Sequence, residues 1–443
     1  MSSTATKRPE LLGINSARLL KDLAELSRIG RRPDGGVDRV GWTKPELEAR
    51  QWVQLRLQDS GLVPRVDPAM NVYGSVSKYR RRRLLIGSHT DSVSMGGRLD
   101  GAYGVVAALE VLRSLAEAGD PAAEHVEIVD FADEEGVRFQ CGYFGSKALV
   151  GDLDPAAFEG MVDTSGVAVP DLLRSAGVKL DQLPKASKHL ADVAGFIELH
   201  IEQGPRLESG GYSVGPVVGI LGVDRYRVTI QGRSTHGGTT PFELRRDPGQ
   251  AAAHLIVRIP KIVSKVDAAG VATVGVLSTS GGAINFTPSQ VEFSLELRQP
   301  TRRALTATVA AVKKELAAIC KAHHCKASVV RQAFRPEQKD GVHLAVEPAF
   351  IPPAKFDRRI VAATGSACSD LRIKHRPLYA GTWHDAGIMA TRVPTGMLLV
   401  PSRDGITHAP QENTRDEDLV NGARALLRAT QRAVVALGLL AGR

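Results

Sequence analysis

The chain has 443 residues, of which 43% are hydrophobic and 24% charged, and carries a formal net charge of +9. That length exceeds one ordinary core and predicts two or three domains, while the composition is that of a soluble globular protein with no apolar run near the roughly 18 residues that span a bilayer. Aromatic residues make up only 5% and do not interleave with the basic ones, which disfavours nucleic acid as a partner. The positive charge points instead to attraction of an anionic substrate.

The opening stretch MSSTATKRPELLGINSARLL has no basic segment followed by a sustained apolar one, so export is not expected and a cytoplasmic location is. Helical periodicity runs from Ile14 to Ile29, and Thr43-Lys-Pro-Glu46 reads as a capping box opening a second helix through Leu57. The basic run KYRRRR at 78–83 lies between the strand-like segments NVYGSV and LLIGSH and reads as a solvated hairpin loop. Strands and helices then alternate to about residue 204, the pattern of a mostly parallel sheet covered on both faces. Residues 152–192, rich in Pro, Asp, Ala and Lys, read as connections within that domain.

After ELHIEQGPRLESGG the pattern changes. Strand (Tyr226 to Gln231), helix (Pro248 to Val263), two strands (Ala272 to Leu277, Val291 to Leu297), helix (Arg303 to His323) and strand (Lys326 to Arg331) form a β-α-β-β-α-β unit, the ferredoxin-like arrangement. The expected fold is therefore α/β: a discontinuous catalytic domain, 1–214 and 333–443, interrupted by an inserted domain at 215–332. Cys141, Cys320, Cys325 and Cys368 are too few for a disulfide framework and are expected as thiols. CKAHHC ends a long amphipathic helix and has no second ligand pair, which argues against a zinc knot there.

Five scattered stretches, GSHTD, RLDG, FADEEG, ELHIEQG and GITHAPQE, supply groups that bind divalent metals: His89, Asp100, Glu134, Glu135, His200 and His408. Four of the five follow apolar strand-like runs, at the sheet edge where open α/β folds bind ligands, and Asp100 precedes an apolar helix. Oxygen and imidazole donors without thiolate suit Zn, Mn, Co or Ni. The set suffices for two ions sharing a carboxylate, with one glutamate left to act as general base. Asp91, two residues beyond His89, is placed to orient that imidazole.

The motifs GSHTDSV, GGRLDGAYGVVAALE, ELHIEQGPRLE, THGGTTPFELRRD, INFTPSQVEFSLELR, HDAGIMA and VPSRDGITHAPQE resemble, in order and over nearly the whole chain, the M20 metallopeptidase-like amidohydrolases. The branch is that of N-carbamoyl-L-amino acid hydrolases, β-ureidopropionases and allantoate amidohydrolases. The resemblance implies one metal on His89, Asp100 and His200 and a second on Asp100, Glu135 and His408, with Glu134 activating a metal-bridging water. It also implies an oxyanion role for His236, a carboxylate-binding role for Asn285 and Arg298, substrate-site positions for Gln203 and His384, and a homodimer formed through the inserted lid domain. The implied reaction is cleavage of the carbamoyl C–N bond of a ureido acid, with hydrolysis of an N-acyl amino acid or dipeptide-like amide as the alternative. Two departures bear on the substrate: Tyr379-Ala-Gly-Thr-Trp383 stands where the family has small residues before His384, and His236-Gly-Gly replaces His-Ala-Gly.

Overall fold

The computed structural model describes residues 11–78, 82–163, 165–333 and 348–440. They divide into two compact units, Met1–Val218 with Phe356–Leu378 and His384–Arg443, and Gly219–Lys355 with Tyr379–Trp383. The segment Tyr379–Trp383 thus groups with the second unit although it follows the return of the chain to the first.

In chain order the strands are β1 (Val63–Val66), β2 (Val72–Ser75), β3 (Arg83–His89), β4 (Val126–Phe131), β5 (Val193–Ile201), β6 (Gly215–Ile220), β7 (Gly222–Gln231), β8 (Val271–Thr273) and β9 (Leu277–Ser280). They continue with β10 (Gln290–Gln299), β11 (Lys326–Arg331), β12 (Phe350–Ile351), β13 (Ala354–Lys355), β14 (Leu378–Ala380) and β15 (Thr395–Val400). The sheet of the first unit runs β1-β2-β4-β3-β5-β15-β6. Its four central strands, β4, β3, β5 and β15, are mutually parallel, so their C-terminal ends share one edge. Every residue of β3, β4, β5 and β15 is buried, as a parallel sheet covered on both faces requires. The helix Ala102–Glu117 lies so close to the sheet that a Cβ on Gly104 would fall 2.2 Å from the Leu199 carbonyl oxygen.

Two local expectations give way. β2 pairs antiparallel with β4, which lies between β2 and β3. β2 and β3 are therefore not the hairpin partners that the loop reading of the basic run between them expected; its residues 79–81 fall outside the described residues. The helix Lys44–Asp59 begins where Thr43 predicts, but the Thr43 side chain makes no cap. Its hydroxyl donates to the Val40 carbonyl at 2.6 Å, while Glu46 accepts from the Trp42 N–H at 3.1 Å and pairs with buried Arg50. Glu46 is drawn to a guanidinium that also donates to the Met70 and Phe131 carbonyls, and the reciprocal box does not form.

In the second unit the sheet order is β11-β7-β10-β8, with β9 also on β10 and every pairing antiparallel. That is the ferredoxin-like order for β-α-β-β-α-β, with the second strand split into β8 and β9. Along β10 burial alternates strictly. Val291, Phe293, Leu295 and Leu297 pack with Leu255, Ile259, Leu305, Val312 and Leu316 of the helices Pro248–Val266 and Arg302–Ala322. Asp247 caps the first helix through the N–H groups of Gly249 and Gln250, and Thr301 caps the second through Ala304. Cys320 and Cys325 are free thiols and join no metal-capable group among the described residues. No helix among those residues is long and apolar enough to cross a membrane.

Candidate metal centre

The parallel strands deliver the predicted residues to one edge of the first unit. His89 ends β3, Glu134 and Glu135 follow β4, His200 is the penultimate residue of β5, and His408 lies on the loop after β15. β4 has ended before the two glutamates: Asp133 and Gly136 take φ of 47° and 58°, so the alternation that would send Glu134 and Glu135 to opposite faces does not apply. The Asp133 carboxylate is held by the Trp42 indole N–H at 2.7 Å. Asp100 comes from the turn before the helix Ala102–Glu117, where Gly101 has φ of 62° and a Cβ would lie 2.3 Å from the His89 Cε1. Only glycine lets that turn approach the imidazole.

Asp100 divides its two oxygens between two groups of residues. Its Oδ1 lies 3.0 Å from His200 Nε2 and 3.7 Å from His89 Nε2, and its Oδ2 lies 3.1 Å from His408 Nε2. His408 Nε2 is in turn 3.6 Å from Glu135 Oε1. The sets His89–Asp100–His200 and Asp100–Glu135–His408 each bring their donor atoms within 4.8 Å of one another, as does Glu198–His200–His384. Glu134 Oε2 stands 3.8 Å from His89 Nε2, beside the first set and outside both sets that share Asp100.

Surrounding contacts aim these donors. His200 Nδ1 donates to the Ile201 carbonyl at 2.9 Å and leaves Nε2 facing Asp100, where it also accepts from the Gly101 N–H at 3.0 Å. His89 Nδ1 lies 3.2 Å from the Asp91 carbonyl and 3.3 Å from its carboxylate. That carboxylate also accepts the N–H groups of Glu134 and Glu135, each at 3.1 Å, so Asp91 ties the β3 end to the β4 end. Glu412, to which the sequence analysis gave no role, accepts from the N–H groups of Leu99 (2.9 Å), Asp100 (3.0 Å) and His408 (3.3 Å) and from the Thr407 hydroxyl (3.2 Å). Its position in ITHAPQE, four residues after His408, was the available signal. Gln203 donates to Asp100 Oδ2 at 2.7 Å, and the His384 ring lies 4.4 Å from that of His200.

The electrostatics are those of crowded acids. Burial pushes Glu134 well above the usual carboxylate range and Glu135 to about 7. Burial also opposes ionisation of Asp100, but His200 and His408 outweigh it and hold that carboxyl well below its ordinary value. Glu135 Oε1, Gln203 Oε1 and His384 Nε2 are buried without a hydrogen-bond partner, an arrangement that costs free energy unless another group completes it. The donor set is all oxygen and imidazole, and divalent cations would neutralise the carboxylates and satisfy Glu135. The residues fit a metal centre on both counts.

The remaining predicted residues lie in the second unit. His236 Nε2 and Asn285 Nδ2 are 3.4 Å apart, and the Gly237 N–H donates to the Asn285 carbonyl at 2.7 Å. Arg298 is held elsewhere in that unit, donating to Glu296 at 2.7 Å and to the Gly381 carbonyl. The Trp383 indole nitrogen is buried without a partner.

Fold and site define an α/β enzyme with a metal-capable cluster at the ends of its parallel strands. The description "Peptidase family M20/M25/M40" matches residues 85–432. An N-carbamoyl-L-amino acid amidohydrolase from Geobacillus stearothermophilus is 36% identical over 93% of this chain and 97% of its own length. An allantoate amidohydrolase from Escherichia coli is 32% identical over 90% and 94%. A solved amidase of the hydantoinase/carbamoylase family from Burkholderia multivorans superposes with a TM-score of 0.80 at 28% identity, covering 95% of this chain and 98% of that one. The chain belongs to peptidase family M20/M25/M40, which is metal-dependent. Its class is that of hydrolases acting on C–N bonds other than peptide bonds.

Proposed function

We propose that this enzyme cleaves the carbamoyl C–N bond of an N-carbamoyl amino acid or close ureido acid, using two divalent metal ions per chain. The observation that carries the reading is the division of the Asp100 oxygens between His89–His200 and His408–Glu135, with Glu134 beside them in neither set. Asp100 is thereby suited to bridge, and Glu134 to move protons.

Two bound cations would supply Lewis acidity and a water acidified toward neutral pH. Glu134 accepts a proton from the attacking water and returns it to the leaving nitrogen. The carbamoyl group of R–NH–CO–NH₂ leaves with one water as ammonia and carbon dioxide, and the amine R–NH₂ remains. His408 and Glu135 hold one side of the Asp100 carboxylate, His89 and His200 the other, while Asp91 and Glu412 fix the backbone that presents them. From the second unit we assign stabilisation of the oxyanion to His236. Asn285 and Arg298 are assigned the substrate carboxylate, for which a guanidinium offers two parallel charge-assisted bonds. Gln203 and His384 complete the substrate site, and the second unit is assigned the homodimer contact. The names of the relatives, a carbamoyl amino acid hydrolase and an allantoate hydrolase, support a ureido substrate.

The test is a panel of N-carbamoyl amino acids, allantoate and N-acyl amino acids, with ammonia and free amine measured in parallel. Ammonia and amine in equal amounts from at least one carbamoyl amino acid is the expected result. Amine from N-acyl amino acids alone, with no ammonia from any ureido compound, would replace this reading with the acylase one.

A further inference from the structure

At the opposite end of β3 and β4 from the metal-capable cluster, the first unit has a cavity of about 520 Å³ that opens to solvent. Its walls include Arg83, which begins β3, and Glu127, the second residue of β4. His89 lies six residues along β3 from Arg83, roughly 20 Å at strand rise. No residue lining the cavity belongs to the metal-capable sets.

The lining carries five cationic side chains, Arg65, Lys78, Arg83, Lys185 and Lys188, and also His189, against the acids Asp67, Glu127 and Asp192. All three acids are engaged, Asp192 lying 4.0 Å from His189 Nδ1. Asp67 accepts from the Ala69 and Asn71 N–H groups, the Asn71 amide and the Tyr73 hydroxyl at 2.8 to 3.0 Å. Glu127, almost fully buried, is contacted by His189 at 2.8 Å, Arg65 at 3.7 Å and Arg83 at 3.9 Å. The guanidinium of Arg65 also stacks over Tyr73 at 4.0 Å. Both arginines thus face the one Glu127 carboxylate, the lining as a whole keeps more positive than negative side chains, and Lys185 and Lys188 are exposed cations that a ligand can reach. A lysine ammonium is a compact point charge, and two of them match the nearly double negative charge of a phosphate monoester better than the single charge of one carboxylate. Val63, Pro64, Pro68 and Ala186 add an apolar wall, and the volume falls in the range of small-molecule sites.

We propose that this cavity is a second ligand site, separate from the catalytic centre, that binds an organic phosphate monoester through Lys185 and Lys188. Its phosphate meets the lysines and its organic body the apolar wall.

The test uses calorimetric titration of the full-length, metal-loaded enzyme with adenosine monophosphate, inorganic phosphate, adenosine and succinate, repeated on Lys185→Ala/Lys188→Ala. Both lysines are surface groups, so the variant should keep its melting temperature and its hydrolytic activity, which verifies its folding. The expected result is saturable binding of the monophosphate and of inorganic phosphate, weakened about tenfold in the variant by the loss of two exposed charge contacts. Adenosine should not bind. Equal affinity in the folded variant would place any phosphate elsewhere, including at the metal centre, and overturn the proposal. So would absence of lysine-dependent binding up to millimolar concentrations, adenosine binding as well as its phosphate, or lysine-dependent succinate binding of equal strength, which would make the site one for carboxylates.

Discussion

The candidate site residues of the two units differ in how they are enclosed. In the first, Asp100, His89, His200 and Glu134 are buried, and their backbones and rings are fixed by Asp91, Glu412 and the Gly101 turn. In the second, His236 is half-buried, Asn285 exposed, and Arg298 shared between Glu296 and a carbonyl of the segment that bears Trp383. A buried array of this kind is pre-organised, so the groups proposed for bond breaking do not have to reorganise in the transition state. Of the groups proposed for recognition, His236 and Asn285 are less enclosed, which suits a site whose substrate range can change without disturbing the chemistry.

Substitutions should separate the two behaviours, and the largest effect belongs to the first unit. Glu134→Gln is expected to lower kcat by about 10²- to 10⁴-fold, the usual worth of a general base, with KM little changed; steady-state kinetics on the preferred carbamoyl substrate checks it. Gly101→Ala touches no substrate but drives a Cβ into the His89 ring at a positive φ. Metal affinity should fall about 10- to 100-fold, as when an orienting contact is lost, and competition with a chelator reads the change. A normal affinity would mean that His89 is not a ligand.

Effects in the second unit should be smaller and should fall on KM. Arg298→Ala is expected to raise KM about 10- to 100-fold through loss of charge-assisted hydrogen bonds, with the metal content unchanged. If kcat falls and KM does not, Arg298 acts by holding Gly381 and its segment rather than the substrate carboxylate. Trp383→Gly is the mildest: rates across a substrate panel should be redistributed by less than about tenfold. A uniform loss on every substrate would assign the indole to stability.

The strand ends were legible because burial on both faces makes β3, β4, β5 and β15 predominantly apolar, and a cluster of polar residues at the end of such a run stands out. His89, Glu134, Glu135, His200 and His408 were found that way, and the motif resemblance supplied their grouping. The misreadings concern partners far away in sequence. Nothing near KYRRRR reveals that β4, some 40 residues later, inserts between β2 and β3. Thr43 and Glu46 have the spacing of a capping box, yet the buried guanidinium of Arg50 takes the carboxylate. Glu412 was passed over for a similar reason. It supports Asp100 across 312 residues of chain, and a glutamate in a loop carries no mark of the backbone N–H groups it will meet.

The central claim is that five residues, His89, Asp100, His200, Glu135 and His408, form two metal-holding sets sharing Asp100, with Glu134 reserved for proton transfer. Elemental analysis of wild type and Glu134→Gln, each purified and dialysed against the same metal, tests it most directly. Two ions per chain in both proteins, with activity lost only in the variant, is the expected result. One ion or none in wild type, or loss of an ion in Glu134→Gln, would show that Asp100 does not bridge or that Glu134 is itself a ligand.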